Sequence, residues 1–212
     1  MFDLKPLLAA GMLFAASLSP AAAQAVAAPL SAADRADLAR IEAYLNSLTT
    51  MESRFLQFSE QGVAEGRIYL DRPEHLRIEY APPNPVLMVA SDIILMFHDR
   101  ELQQTTFLPV NETPAGFLLD DRIELGGDVT VTEFSRGAQT LRLTLVETDS
   151  PASGSVSLTF EDRPLRLAKW RVIDAQGTEV EVSLLDPRFG VTFRNPGELF
   201  STVDPSADIS ID

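Results

Sequence analysis

Two periodicities divide the chain. Ser31 followed three residues later by Asp34 has the form of a capping box, and Leu38, Ile41, Leu45 and Leu48 then recur at helical spacing on one face. This predicts a helix over 32–49 whose single apolar stripe must lie on another element. After it the period falls to two. Ile68 and Leu70 alternate with Arg67 and Tyr69, and Leu76, Ile78 and Tyr80 with Arg77 and Glu79. The same alternation marks Leu141/Leu143/Leu145, Val156/Leu158/Phe160 and Val180/Val182/Leu184. Such segments are antiparallel strands with one wet and one dry face.

Turn residues punctuate the strands at short intervals: Arg72-Pro73, Pro82-Pro83-Asn84-Pro85, Ser91-Asp92, Asp162-Arg163-Pro164 and Asp174-Ala175-Gln176-Gly177 among them. The pattern is that of a β-meander of about ten strands. In the strand near 165–173 the apolar phase slips from Leu165/Leu167 to Ala168/Trp170/Val172, which predicts a bulge or a strand buried on both sides. One segment breaks the meander. Thr113 before Pro114 reads as a helix N-cap with proline at the first helical position, so a short helix bearing Phe117, Leu118 and Leu119 should end near Asp120.

An antiparallel sheet of this size curls, leaving one concave apolar face with two helices available to cover it. Periodicity leaves two outcomes open. The helices cap a filled core, or the concave side stays partly empty and holds an apolar ligand.

The N-terminus follows a third pattern. Lys5 precedes an apolar run from Leu7 to Leu18, then small residues at Ala21 and Ala23. This reads as a signal peptide over 1–23, too short to span a bilayer, followed by one domain over 24–212. The pattern therefore predicts an exported protein.

Composition narrows the function. The chain has 212 residues, with 31 Asp and Glu against 17 Lys and Arg, a net charge of −14. Since residues 1–23 hold one acid and one base, all of that charge stays on 24–212. A chain this acidic without a basic block is a poor partner for nucleic acid, and an anionic membrane surface repels it. With no cysteine there are no disulfides, thiolate chemistry or Cys-type zinc sites. His75 and His98 are the only histidines, lack metal-ligand spacing, and are expected to face solvent near turns. Acidic pairs such as Asp120-Asp121 and Glu179/Glu181 read as solvated faces. No cofactor, metal or enzymatic activity is expected.

The ordered set of motifs resembles the periplasmic lipoprotein carrier family, LolA. Phe55-Leu56-Gln57 is similar to that family's F-x-Q in the first strand. Gly66-Arg-Ile-Tyr-Leu70-Asp-Arg72-Pro73 with Arg77-Ile78-Glu79-Tyr80 resembles its G-x-l-x-l-x-R-P…R-(F/W)-x-Y block, and Pro82-Pro83 follows. Asn111 to Leu119 resembles the lid segment, and Trp170 with Asp174-Ala-Gln-Gly177 a late hairpin. The likeness covers the chain after the signal segment. It departs at Ser91-Asp92, where Asp-Gly is common, and at Ile78, where some members have an aromatic residue.

The resemblance implies a mainly β (α+β) fold: an unclosed, strongly curved antiparallel half-barrel of about ten to eleven strands, covered by the N-terminal helix and short lid helices. It implies a monomeric periplasmic chaperone that takes lipoprotein acyl chains from an inner-membrane ABC transporter and delivers them to an outer-membrane receptor. Arg72 is the residue expected to close the lid. Candidate cavity residues in the first strands are Phe55, Ile68, Leu70, Leu76, Ile78 and Tyr80. The next two strands offer Leu87, Val89, Ile94 and Met96, and the lid Phe117, Leu118 and Leu119. Residues 86–97 are apolar in both phases, so their inward phase stays open. The alternative is a binding protein of the same fold for another lipid, such as a glycolipid or hopanoid.

Overall fold

The structure, a computed structural model, describes residues 24–205; the expected signal segment lies outside them. The chain opens with helix α1 (Ala32–Ser47) and the strands β1 (Thr50–Ser59), β2 (Gly62–Asp71), β3 (His75–Tyr80), β4 (Val86–Ser91), β5 (Ile94–Asp99) and β6 (Gln104–Pro109). A 3-10 turn at Val110–Glu112 leads into the short helix α2 (Pro114–Leu119). Then come β7 (Val129–Arg136), β8 (Thr140–Glu147), β9 (Gly154–Asp162), β10 (Leu165–Asp174), β11 (Glu179–Phe189) and the single turn α3 (Pro196–Leu199).

All eleven strands form one antiparallel sheet in the order β6-β5-β4-β3-β2-β1-β11-β10-β9-β8-β7. Every neighbour pair is a sequential hairpin except β1–β11, which joins the two runs. The edges β6 and β7 do not pair, so the sheet is an open half-barrel. The expected bulge is present: pairing of β9 with β10 shifts between Leu167 and Lys169, and the inward phase passes from Leu167 to Trp170. At the Ser91-Asp92 hairpin, Asp92 takes φ 54, a left-handed conformation that Asp tolerates better than most residues.

The capping box forms. The Asp34 N–H donates to the Ser31 hydroxyl at 3.1 Å and the Ser31 N–H to the Asp34 carboxylate at 2.9 Å. Leu38, Ile41 and Leu45 of α1 are buried against the concave sheet. Polar contacts seat the helix at both ends. Arg136 of β7 reaches Asp34 and Asp37, and Arg40 reaches Asp162 at the end of β9 at 3.0 Å. Asn46 exchanges two backbone bonds with Ile123, fixing the loop that follows α2.

A second apolar cluster lies on the convex face. Leu87, Val89 and Met96 pack there under Phe200, with Tyr69, Phe193 and Leu199 around them. The C-terminal segment thus crosses the outside of the sheet as a strap. Arg77 donates to the Leu199 carbonyl at 3.2 Å, and Thr105 donates to the Asp204 carboxylate at 2.7 Å. His98, expected to face solvent, is 2% exposed beneath this strap with Nδ1 at 2.9 Å from the Thr105 hydroxyl. Since the Thr105 proton goes to Asp204, that hydroxyl accepts from His98. His75 is half-buried, its ring stacked on Phe200 at 5.1 Å.

Candidate functional site

The concave face is not filled. Between the sheet and the helices lies a cavity of about 360 Å3 with almost wholly apolar walls. The β1–β5 half contributes Phe55, Ile68, Leu76, Ile78, Met88 and Leu95, and Leu45 of α1 closes one side. The β9–β11 half contributes Val156, Leu158, Leu167 and Trp170, with Val172, Val180 and Val182 beside them. Thr113, Phe117 and Leu118 form the roof.

Of the residues expected to line it, Phe55, Ile68, Leu76, Ile78, Tyr80, Phe117 and Leu118 do so. Leu70 and Leu119 are buried in the surrounding core but do not border the space. Leu87, Val89, Ile94 and Met96 are corrected: they point to the convex face. The register is the reason. Ile78 of β3 pairs with Met88 and Leu76 with Ala90, so 88 and 90 share the inward phase and 87 and 89 the outward one. Leu95 opposes Ala90 in turn, which sends Ile94 and Met96 outward. Ile94 lies beyond the strap and is 42% exposed.

The sequence did not assign the β9–β11 wall to the cavity, nor Gln57, which stands out in it only as part of the F-x-Q motif. The alternation of Val156/Leu158 and Val180/Val182 carries the same signal as the first half of the sheet and could have been used the same way. Gln57 is polar on an inward phase, so hydropathy alone hides it.

Aromatic geometry shapes the β1–β3 side of the cavity. Phe55 meets Tyr80 edge to face, with ring centroids 5.2 Å apart. Gly66 lies opposite both residues in the ladders. A Cβ there would stand 2.2 Å from the Glu79 carbonyl oxygen and 2.7 Å from the Phe55 ring. Only glycine admits this approach.

The roof is held by Arg72, at the exit of β2. Its Nη1 donates to the Leu45 carbonyl and, at 3.5 Å, to that of Leu48; its Nη2 donates to the Asp120 carbonyl at 2.6 Å. The last carbonyls of a helix have no intrahelical partner and carry the negative end of the dipole. The last turn of α1 has no basic residue of its own, so Arg72 supplies the cation from the sheet. The same guanidinium holds the residue that ends α2. Its Nε is buried without a partner among the described residues.

Burial pulls Arg72 below the usual arginine value, against the opposing attraction of Asp120 and Asp121. Partial burial also raises Asp120, against the attraction of Arg72 and with the repulsion of Asp121 and Asp128 added to it, although the residue is exposed on its outer side. The Arg72 guanidinium bonds to backbone carbonyls at both helix ends rather than to a carboxylate.

The lid is loosely built. Thr113 stands at the N-cap position of α2, but its hydroxyl turns back to the Val110 carbonyl at 2.7 Å and caps nothing. A six-residue helix without a capping side chain has little stability of its own. Its position depends on Phe117, Leu118 and Leu119 beneath it and on Arg72 at its end.

The acidic pairs take structural places. Glu179 and Glu181 pair with Arg171 and Lys169 on the outer face of β10 and β11. Among the described residues no His, Asp or Glu group is arranged to hold a metal, and no helix is long and apolar enough to cross a membrane.

Residues 46–196 match the family model described as outer membrane lipoprotein carrier protein LolA. An outer-membrane lipoprotein carrier protein of Alkalilimnicola ehrlichii is 36% identical over 81 residues, which is 35% of this chain and 36% of that protein. An uncharacterized protein of Rickettsia prowazekii is 19% identical over 138 residues, 65% of this chain and 64% of that protein. The matched segments thus span less than two thirds of either relative's length. Among solved structures, an uncharacterized conserved protein from Thermus thermophilus shares the fold at a TM-score of 0.50 and 11% identity, covering 81% of this chain and 96% of its own. The family match spans more than half of the chain and runs through β1–β11, the lid and Arg72: the chain belongs to the LolA family of outer membrane lipoprotein carrier proteins.

Proposed function

We propose that the protein is a periplasmic carrier that shelters the acyl chains of lipoproteins in the cavity beneath α2, taking them from an inner-membrane ABC transporter and delivering them to the outer membrane. The observation that carries this reading is an unfilled apolar cavity whose roof is latched by one polar side chain.

Energetics favour a carrier of this design. Exposing acyl methylenes to water costs about 0.8 kcal/mol each, so a single chain of roughly 14 methylenes faces a barrier of about 11 kcal/mol. Transfer from a bilayer to an apolar cavity avoids most of that barrier. The remaining difference is small enough for the opening of a lid to set direction. The surplus of acid, −14 over the chain, keeps the carrier from adhering to anionic membranes.

The test is release. The purified protein is mixed with inner-membrane vesicles that hold a lipoprotein, the ABC transporter and ATP, and the soluble fraction is assayed for lipoprotein bound to the carrier. A soluble one-to-one complex is expected; lipoprotein remaining wholly in the vesicles counts against the reading. Mass spectrometry of material co-purifying from the periplasm separates the alternative, since an acylated peptide supports the carrier and a free glycolipid or hopanoid the other lipid.

A further inference from the structure

Four residues lining the cavity carry polar side-chain atoms: Gln57, Tyr80, Thr113 and Trp170. Thr113 spends its hydroxyl on the Val110 carbonyl. Tyr80, 8% exposed, donates its hydroxyl proton to the Gln57 Oε1 at 2.6 Å. With the carboxamide oxygen turned to Tyr80, the Gln57 nitrogen brings two N–H donors to the cavity, and no described residue accepts from them.

This orientation is built by three positions of the fold. Gly66 leaves room for the Phe55 ring, Phe55 meets the Tyr80 ring edge to face at 5.2 Å, and Tyr80 aims its hydroxyl at Gln57. A donor so placed in an apolar space is unfavourable unless something accepts from it. Water can do so while the cavity is empty. An incoming chain that displaces the water must supply the acceptor itself or lose affinity.

We infer that Gln57 is a specificity-determining residue that donates to the carbonyl oxygen of the ester or amide joining an acyl chain to its head group. The cavity then prefers acyl chains to alkyl chains of the same length, because an ether link offers no carbonyl. The inference rests on the proposal that the cavity takes acyl chains, and adds which end of the chain it recognises.

The test is displacement of a bound apolar fluorophore, N-phenyl-1-naphthylamine, by 1,2-dipalmitoylglycerol or by its dialkyl ether, 1,2-di-O-hexadecylglycerol. The wild-type protein is expected to favour the ester about fivefold, the ratio that a net hydrogen bond of about 1 kcal/mol provides. Gln57→Leu should abolish that preference and leave ether affinity unchanged or higher, with an unaltered circular dichroism spectrum. Tyr80→Phe, which frees the carboxamide to turn, should reduce the preference and decides the matter if Gln57→Leu does not fold. Equal wild-type affinity for ester and ether, a preference that is undiminished in either variant, or an equal loss of both ligands in Gln57→Leu overturns the carbonyl contact alone. Failure of both lipids to displace the fluorophore from the wild-type protein overturns the carrier proposal, and this inference with it.

Discussion

Arg72 donates to the backbone carbonyl of Asp120 at 2.6 Å while its other terminal nitrogen holds the Leu45 and Leu48 carbonyls at the end of α1. One side chain from the sheet therefore joins both helices over the cavity.

Arg72→Leu should leave the half-barrel folded and free the lid. A hydrogen bond from a charged donor contributes about 1.5–3 kcal/mol, so a bound acyl probe should escape at least about tenfold faster, and amide exchange over 113–120 should quicken. Lipoprotein release from vesicles should be impaired with it. Arg72→Lys should be intermediate, since an ammonium is a single point and cannot span both helix ends. A variant that retains its probe as the wild type does excludes the latch.

Gly66→Ala should cost about 3 kcal/mol or more in urea unfolding. The obstacle 2.2 Å from the new Cβ is the Glu79 backbone carbonyl, and the Phe55 ring blocks the other direction, so the strands must separate. An undiminished unfolding midpoint would show that the β2–β3 pairing can yield.

Carboxylates near the two ends of α1 respond to acid with opposite sign. Asp34 is held below the ordinary carboxylate value first by the Ser31 hydroxyl, and Asp37 first by Arg136. Their contribution is complete above the unfolded value, about 4, and is lost as pH falls through the lower folded values. Asp120, raised by burial, opposes folding above its raised value. Thermal melts from pH 7 to 2 should show Asp37→Asn lowering stability at pH 7 by about 0.5–1 kcal/mol after solvent screening and flattening the acid decline. Asp120→Asn should melt no lower than the wild type at pH 7.

Trp170 is the sole tryptophan in the chain and borders the cavity. Filling the cavity with an acyl chain removes water from its ring, so emission should shift to the blue and saturate with the ligand. A spectrum that is constant while ligand binds places the ligand elsewhere.

Phe200→Ala should unfasten the strap. Phe200 is 3% exposed over Leu87, Val89 and Met96, and a phenylalanine truncated in such a site costs about 3–5 kcal/mol. Proteolysis should then begin after Phe189. Acyl-probe binding by the folded fraction should persist, because the strap and the cavity lie on opposite faces of the sheet.

Much of this arrangement is legible in the sequence alone. The capping box at Ser31 and Asp34, the helical stripe Leu38/Ile41/Leu45, the Pro114 start of the lid and the phase slip near Ala168 are local signals, and each specifies its element through neighbouring residues alone. Arg72 could be singled out only through the family pattern, because a charge beside a turn proline has no local signature of a latch. Its acceptors, carbonyls 27, 24 and 48 residues away, exist only once α1 and α2 sit over the sheet.

Chain order and period two were enough to establish an antiparallel meander with alternating faces and a capping helix. They could not assign a direction to 86–97, where both phases are apolar. Alternation states that successive side chains face opposite ways; which way is inward depends on what covers each side. Here both sides are covered, one by the lidded cavity and the other by Phe193, Leu199 and Phe200 arriving from a hundred residues further along the chain. The hydrophobic effect rewards burial without regard to direction, so the long-range cover and the register with Ile78 sent Met88 and Leu95 into the cavity and Leu87, Val89 and Met96 under the strap.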